Sequence, residues 1–179
     1  MKALASGRWF ILCAVCLIGC EDSLLSHPST QPDLFAPTSM RVHPIFTQLA
    51  DWTHSGKPVG VEAQLEFTDQ FGDPTKASGK VLFELFEFRR ESPDPRGKRL
   101  GHWVGSLATL DEQRERWNTT LRTYRFQLDY PAVDPTHTYV LNATFELSSG
   151  GRFFDHIVIP GHQPEKSESK KPGFGLGVE

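Results

Sequence analysis

Residues 59–67, VGVEAQLEF, place Val59, Val61, Ala63, Leu65 and Phe67 on one side and Glu62, Gln64 and Glu66 on the other. Successive side chains of a strand point to opposite faces, whereas a helix would spread this alternation around its circumference. The segment therefore reads as a strand with one dry face. TYRFQLDY, residues 123–130, repeats the pattern with Tyr124, Phe126, Leu128 and Tyr130. TYVLNATFEL, residues 138–147, does so with Tyr139, Leu141, Ala143, Phe145 and Leu147. Strands of a parallel sheet are covered on both sides and apolar throughout, so long alternating segments with polar outer faces predict antiparallel sheets.

Four further strands follow from weaker patterns. KVLFELFEFRR, residues 80–90, puts Val81, Phe83 and Leu85 on one face but Leu82, Phe86 and Phe88 on the other. A central strand with a bulge near Leu85–Glu87 accounts for this; the other account is that both faces are covered. RVHPIFTQL, residues 41–49, contains Pro44, which has no N–H to give a ladder and so suits an edge. LGHWVGSL (100–107) and GRFFDHIVI (151–159) supply the last two. The pieces DQFGDPTKASG, ESPDPRGKR and SSGG between strands are rich in turn residues. Only TLDEQRERW, residues 109–117, invites a helix, with Thr109 as N-cap and Glu112 three residues on forming a capping box.

Seven short strands with turns at regular spacing predict an all-β fold, an antiparallel β-sandwich with at most one short helix. DPTHTYVLNATFEL, residues 134–147, resembles the start of the sixth strand in immunoglobulin-like and fibronectin type III domains. There a tyrosine follows a polar turn and its hydroxyl bonds back to the corner backbone; the resemblance gives that role to Tyr139. The inter-sheet disulfide of antibody domains and its companion tryptophan spacing are absent from the sequence. A transthyretin-like sandwich has the same strand count and remains open at this stage.

The cysteines are confined to Cys13, Cys16 and Cys20. A disulfide framework needs cysteines spread through the folded body, and a zinc site needs spaced pairs with histidines near, so neither reading fits. Lys2 and Arg8 form a basic start without acids, and Trp9 to Ile18 are an apolar run of about ten residues, half the length that spans a bilayer. This is the pattern of a signal peptide. Its end, Leu17-Ile18-Gly19-Cys20, resembles the lipobox of bacterial lipoproteins. The resemblance implies cleavage before Cys20, a diacylglycerol on the Cys20 thiol, acylation of the new amino group, and a place in the bacterial cell envelope facing the periplasm or exterior. Physically, each buried methylene contributes about 0.8 kcal/mol, so two or three acyl chains replace a membrane-spanning helix.

The chain thus divides into a leader (1–19), a lipidated Cys20 with a proline- and serine-rich tether (20–40), a sandwich (41–160) and a polar tail (161–179) whose Lys166, Lys170 and Lys171 are interleaved with Glu165 and Glu168. A formal charge of −3 gives no electrostatic case for nucleic acid.

The search for chemistry finds little. His43, His54, His102, His137 and His156 show no repeated strand spacing with one another or with carboxylates, and Asp155 and His156, being adjacent, point to opposite faces. Asp69 and Asp73 in TDQFGDPT have the oxygen ligands calcium takes, but a turn supplied by Gly72 and Pro74 explains them without a metal and is the preferred reading. No G-x-S-x-G elbow is present. Asn118 and Asn142 open glycosylation-type triplets, which are chance matches in a bacterial host. The remaining candidates are aromatic: Trp52, Trp103 and Trp117, with Phe71 and Phe154. The expectation is a non-enzymatic, membrane-tethered binding or envelope-assembly module without metal or cofactor, contacting an envelope protein or glycan through end loops or the edges near Val42 and Ile157. The alternative is a carbohydrate-binding module that stacks sugars on exposed Trp103 and Trp117.

Overall fold

The computed structural model describes residues 33–161. The leader, Cys20, the tether up to residue 32 and the tail from residue 162 lie outside the described residues. Within them the order is β1 (Ser39–Val42), β2 (Gln48–Ala50), β3 (Gly60–Thr68), β4 (Pro74–Thr75), β5 (Gly79–Phe88), β6 (Arg96–Ser106), α1 (Leu110–Arg116), β7 (Trp117–Asn118), β8 (Thr123–Asp129), β9 (Tyr139–Leu147) and β10 (Arg152–Ile159). Every pairing is antiparallel, in two sheets: β1-β3-β8-β7, with β2 and β4 also on β3, and β10-β9-β5-β6. The fold is an all-β sandwich.

The first expected strand divides in two. β1 pairs with residues 65–68 of β3 and β2 with residues 60–62, both on the edge of β3 opposite β8. Between them Pro44 sits in a turn, closed by the Thr47 N–H on the His43 carbonyl at 3.1 Å. A proline cannot extend the ladder, so the chain leaves the edge and rejoins it. The segment before β1 is also fixed to the sandwich: Thr38 N–H donates to the Thr68 carbonyl at 2.8 Å and the Thr75 hydroxyl to the Phe35 carbonyl at 2.8 Å. The sandwich therefore takes in residues 33–40, which the sequence assigns to the tether.

The bulge expected in β5 is present in the β5–β6 pairing, but the extra residues stand on β6. Pairing with β9 runs without a break from Gly79 to Glu87, whereas opposite β6 the register slips at Leu85/Phe86 and again at Phe86/Phe88. Leu100 has no partner at the first slip, and Gly97 and Lys98 together oppose Glu87 at the second. The faces of β5 are consequently not exchanged. Val81, Phe83 and Leu85 point into the core, while Leu82, Phe86 and Phe88 stay half-buried outside.

The core lies between the sheets. Phe67 of β3 meets Phe145 of β9 with ring centroids 4.7 Å apart, and Phe83 of β5 meets Phe126 of β8 at 5.1 Å. Such edge-to-face and tilted pairs add about 1 kcal/mol each to the burial of the rings. On one side β1 faces β10, where the Val42 N–H donates to the Asp155 carboxylate at 2.7 Å. On the other side α1 closes the gap. Thr109 caps it, its hydroxyl accepting from Glu112 N–H while the Glu112 carboxylate accepts from Thr109 N–H at 2.9 Å, which holds that carboxyl below its ordinary range. Tyr124 then donates its hydroxyl to Gln113 at 2.9 Å, and Gln113 donates to the Leu107 carbonyl at 3.0 Å.

Candidate binding face

The outer surface of β10-β9-β5-β6 can be built row by row from the register. Residues paired across an antiparallel ladder share a face. One row reads Phe154, Thr144, Leu82, Val104; the next His156, Asn142, Glu84, His102; the next Val158, Val140, Phe86, Arg99. Two rows rich in apolar side chains thus flank a polar one. Phe154 is 70% exposed and Val104 72%, at opposite ends of the same row. Val140 is fully buried, stands outside the main core cluster and belongs by register to this outer face. Soluble proteins scatter exposed apolar residues singly, and their alignment on one sheet face is the mark of a contact surface.

The polar row carries an anomaly. Asn142 Oδ1 is buried and has no hydrogen-bond partner among the described residues. Leaving a buried acceptor unmade costs about 1–3 kcal/mol, so the site favours anything that brings a donor. A pocket of about 340 Å³ lies beside it, bounded by Glu84, Arg96, Asn142, Thr144, Phe154 and His156. The charges around it are mostly engaged, Glu84 with Arg99 at 2.9 Å and Arg96 with Asp94 at 2.8 Å. The Arg96 side chain and backbone bring Asp94 down to about 2.

Two larger hollows lie at the end of the sandwich away from the start of β1. One of about 590 Å³ is lined by Glu87, Arg90, Leu100, Tyr130 and His137. The other, of about 730 Å³, is lined by Ile45, Leu49, Asp51, Pro58 and Ile159. Burial raises the Asp51 carboxyl, but hydrogen bonds from Thr53, Gly56 and Ser55 outweigh it and bring the group down to about 2. Asp51 is thereby an acceptor that holds its own loop. At the same end the Tyr139 hydroxyl accepts from Asp134 N–H at 2.8 Å and donates to the Asp134 carbonyl at 3.2 Å, which is the corner geometry the resemblance implies for this tyrosine.

The tryptophans singled out in the sequence are not brought together. Trp103 sits on β6 opposite Phe83, half-buried, with its indole over Gly101: a Cβ there would lie 2.6 Å from the ring. Trp117 sits on β7 in the other sheet, half-buried, with Tyr124 edge-on at 4.9 Å and the Lys76 ammonium 5.1 Å above its ring. Sugar stacking needs an open ring face. Each ring is partly covered by its own protein, Trp103 against Gly101 and Trp117 against Tyr124 and Lys76, and Trp117 also lines a pocket of about 500 Å³ with Thr75, Thr119 and Arg122. Of the two strands named as contact edges, β1 and β10 are indeed sheet edges, but they face each other across the Val42–Asp155 bond.

Asp69 and Asp73 form a turn: Asp69 Oδ1 accepts from Phe71 N–H at 2.9 Å and Asp73 N–H at 3.1 Å, and Gly72 adopts φ +84°. Among the described residues no group of three or more His, Cys, Asp or Glu is gathered as metal ligands. Of this outer face, the sequence showed Phe154 and the second apolar stripe of β5, but not Asn142 or Val158. Comparison with protein-family models, with curated proteins and with solved structures finds no match for this chain.

Proposed function

We propose that the chain is a lipid-anchored envelope protein, held to a bacterial membrane through Cys20, whose sandwich is a non-enzymatic module that binds an envelope protein on the outer face of β10-β9-β5-β6. The observation that carries this reading is the apolar row with exposed Phe154 and Val104 at its two ends, which together with the Val158–Val140–Phe86 row flanks the unpartnered Asn142 amide oxygen. Covering the Phe154 ring alone would contribute about 2 kcal/mol, and a donor to Asn142 would add orientation. The strand orders β10-β9-β5-β6 and β1-β3-β8, with Tyr139 bonded to Asp134, support an immunoglobulin-like or fibronectin type III-like reading of the sandwich. Among the described residues no helix is long and apolar enough to cross a membrane, so anchoring rests on the lipobox resemblance at residues 17–20.

Two measurements test the two halves. Replacing Cys20 by Ser should abolish acylation and cleavage of the leader, seen as altered mass and loss of lipid labelling. An unchanged mass and unchanged membrane attachment would overturn the anchor. A photo-crosslinker at Phe154 should give a discrete adduct in intact cells that Val158→Asp suppresses, while the same group at exposed Phe71 gives none. Equal labelling from both positions would remove the face.

A further inference from the structure

Two tight turns meet at the end of the sandwich where β1 begins. In the first, the Asp33 carbonyl accepts from Ala36 N–H at 3.0 Å and the Asp33 carboxylate from Phe35 N–H at 3.2 Å, which leaves Leu34 and Phe35 on the outside. In the second, the Asp69 carboxylate holds the N–H groups of Phe71 and Asp73, with Phe71 between them at the surface. The Phe35 carbonyl accepts the Thr75 hydroxyl at 2.8 Å, and Thr75 lies on β4, directly after the second turn, so the two turns are neighbours. Phe35 is 69% exposed, Phe71 64% and Leu34 46%. Apolar side chains held out together by turns that fix their backbones mark a contact surface.

What stands behind these tips points to the occupant. Thr75 also lines the hollow that holds Lys76, Trp117 and Arg122. Lys76 and Arg122 are exposed and make no ion pair among the described residues. Apolar tips in front of tryptophan, lysine and arginine follow the layers of a phospholipid surface, acyl chains first and then phosphates. With Asp33 and Asp73 in the turns themselves the patch has little net charge, so insertion of the apolar side chains, and not bulk attraction, is its means of contact. The course of the chain gives the second argument. Asp33 follows Cys20 by thirteen residues. A flexible chain of that length has a root-mean-square span of about 20 Å and reaches at most about 45 Å. The nine residues of β3 put the other end of the sandwich, with exposed Ile45, roughly 30 Å further away. A lipid on Cys20 therefore brings this end to the bilayer first, and tethering makes even a weak contact effective.

We infer that Leu34, Phe35 and Phe71 dip into a phospholipid surface, with Trp117, Lys76 and Arg122 at the headgroups, so that the sandwich stands on end on the membrane. This rests on the anchor at Cys20 proposed above. The strands then run away from the bilayer, and the outer face of β10-β9-β5-β6 stays open sideways. In lipid Phe71 meets no protein, which is the behaviour expected of it as a crosslinking control.

The test uses the protein purified from membranes and returned to vesicles of phosphatidylethanolamine and phosphatidylglycerol. An acylated Cys20 leaves no free thiol, since the other two cysteines lie in the leader. A nitroxide can therefore be placed by Gln70→Cys, beside Phe71, or by Lys57→Cys at the far end, both exposed positions. Mass and flotation with the vesicles report the anchor. Collisions of the nitroxide with oxygen, which partitions into lipid, and with a water-soluble nickel complex report depth. Position 70 should favour oxygen and position 57 nickel. Phe35→Ser with Phe71→Ser, checked for folding by circular dichroism, should turn position 70 to nickel while flotation persists. Acylated, floating protein in which position 70 is as wet as position 57 overturns the inference and leaves the anchor standing. A depth at position 70 that survives both serines does the same. A chain that is neither acylated nor floating removes the anchor, and this inference with it.

Discussion

Tyr124 and Tyr139 show how far a single residue's role depends on what surrounds it. Both alternate correctly into the core, but Tyr139 bonds to Asp134, five residues back, and Tyr124 bonds to Gln113, on a different element. The first contact belongs to a local turn and was legible in the sequence as a corner. The second required α1 to be folded over the open side of the sandwich. Burial pushes the Tyr124 phenol up to about 12 and raises Tyr139 as well. The folded state thus keeps protons that an unfolded chain loses near pH 10. Stability should be intact below pH 10 and fall as pH rises from there toward 12. Denaturant titrations across that range should show the decline, and Tyr124→Phe should flatten it; an identical alkaline slope in the variant would mean that the phenol is solvated. Asn142 and Val158 were harder to read. Their significance comes from neighbours on two other strands, and no local spacing reveals it.

Among the elements, those whose cause lies within a few residues were read best. The capping box of Thr109 and Glu112 is in place, although α1 ends at Arg116 and Trp117 belongs to β7. A helix of seven residues is too short to persist alone. Its cap and its Gln113 contacts to Tyr124 and Leu107 therefore hold it. Thr109→Ala should cost about 1 kcal/mol. It should raise hydrogen exchange through Leu110–Arg116 while leaving β3 and β9 protected. Uniform loss of protection would show instead that the helix opens only with the whole fold. The bulge was legible as a conflict of faces in β5, but its side was not. A slip belongs to a pairing, and only the Arg96–Gly101 stretch of β6 shows which strand carries the spare residues. The break of the first strand at Pro44 follows the same logic: proline announces an edge, while the return of the chain to β3 at Gln48 depends on β3 having free edge left.

At the scale of the molecule, the two sheets share no ladder, so their union depends on side chains. Phe67 touches Tyr124 in its own sheet and Phe145 and Phe153 in the other, with ring centroids 6.0, 4.7 and 6.5 Å away. Truncating a buried phenylalanine costs about 3–5 kcal/mol, a large part of the 5–15 kcal/mol that holds a typical domain. If the sheets are stable only through this shared core, Phe67→Ala should lower the guanidinium midpoint for both together. Trp103 belongs to β6 and Trp117 to β7, so with Trp9 and Trp52 replaced by Phe the sheets can be followed separately. In that background, fluorescence transitions of the further Trp103→Phe and Trp117→Phe variants should each coincide with the loss of far-UV circular dichroism, with and without Phe67→Ala. Separate transitions for the two would mean that one sheet outlives the other and that the sandwich is not a single cooperative unit. Coincident ones would make the hydrophobic layer between the sheets, built from the alternating faces of β3, β8 and β9, the condition on which the outer face of β10-β9-β5-β6 depends.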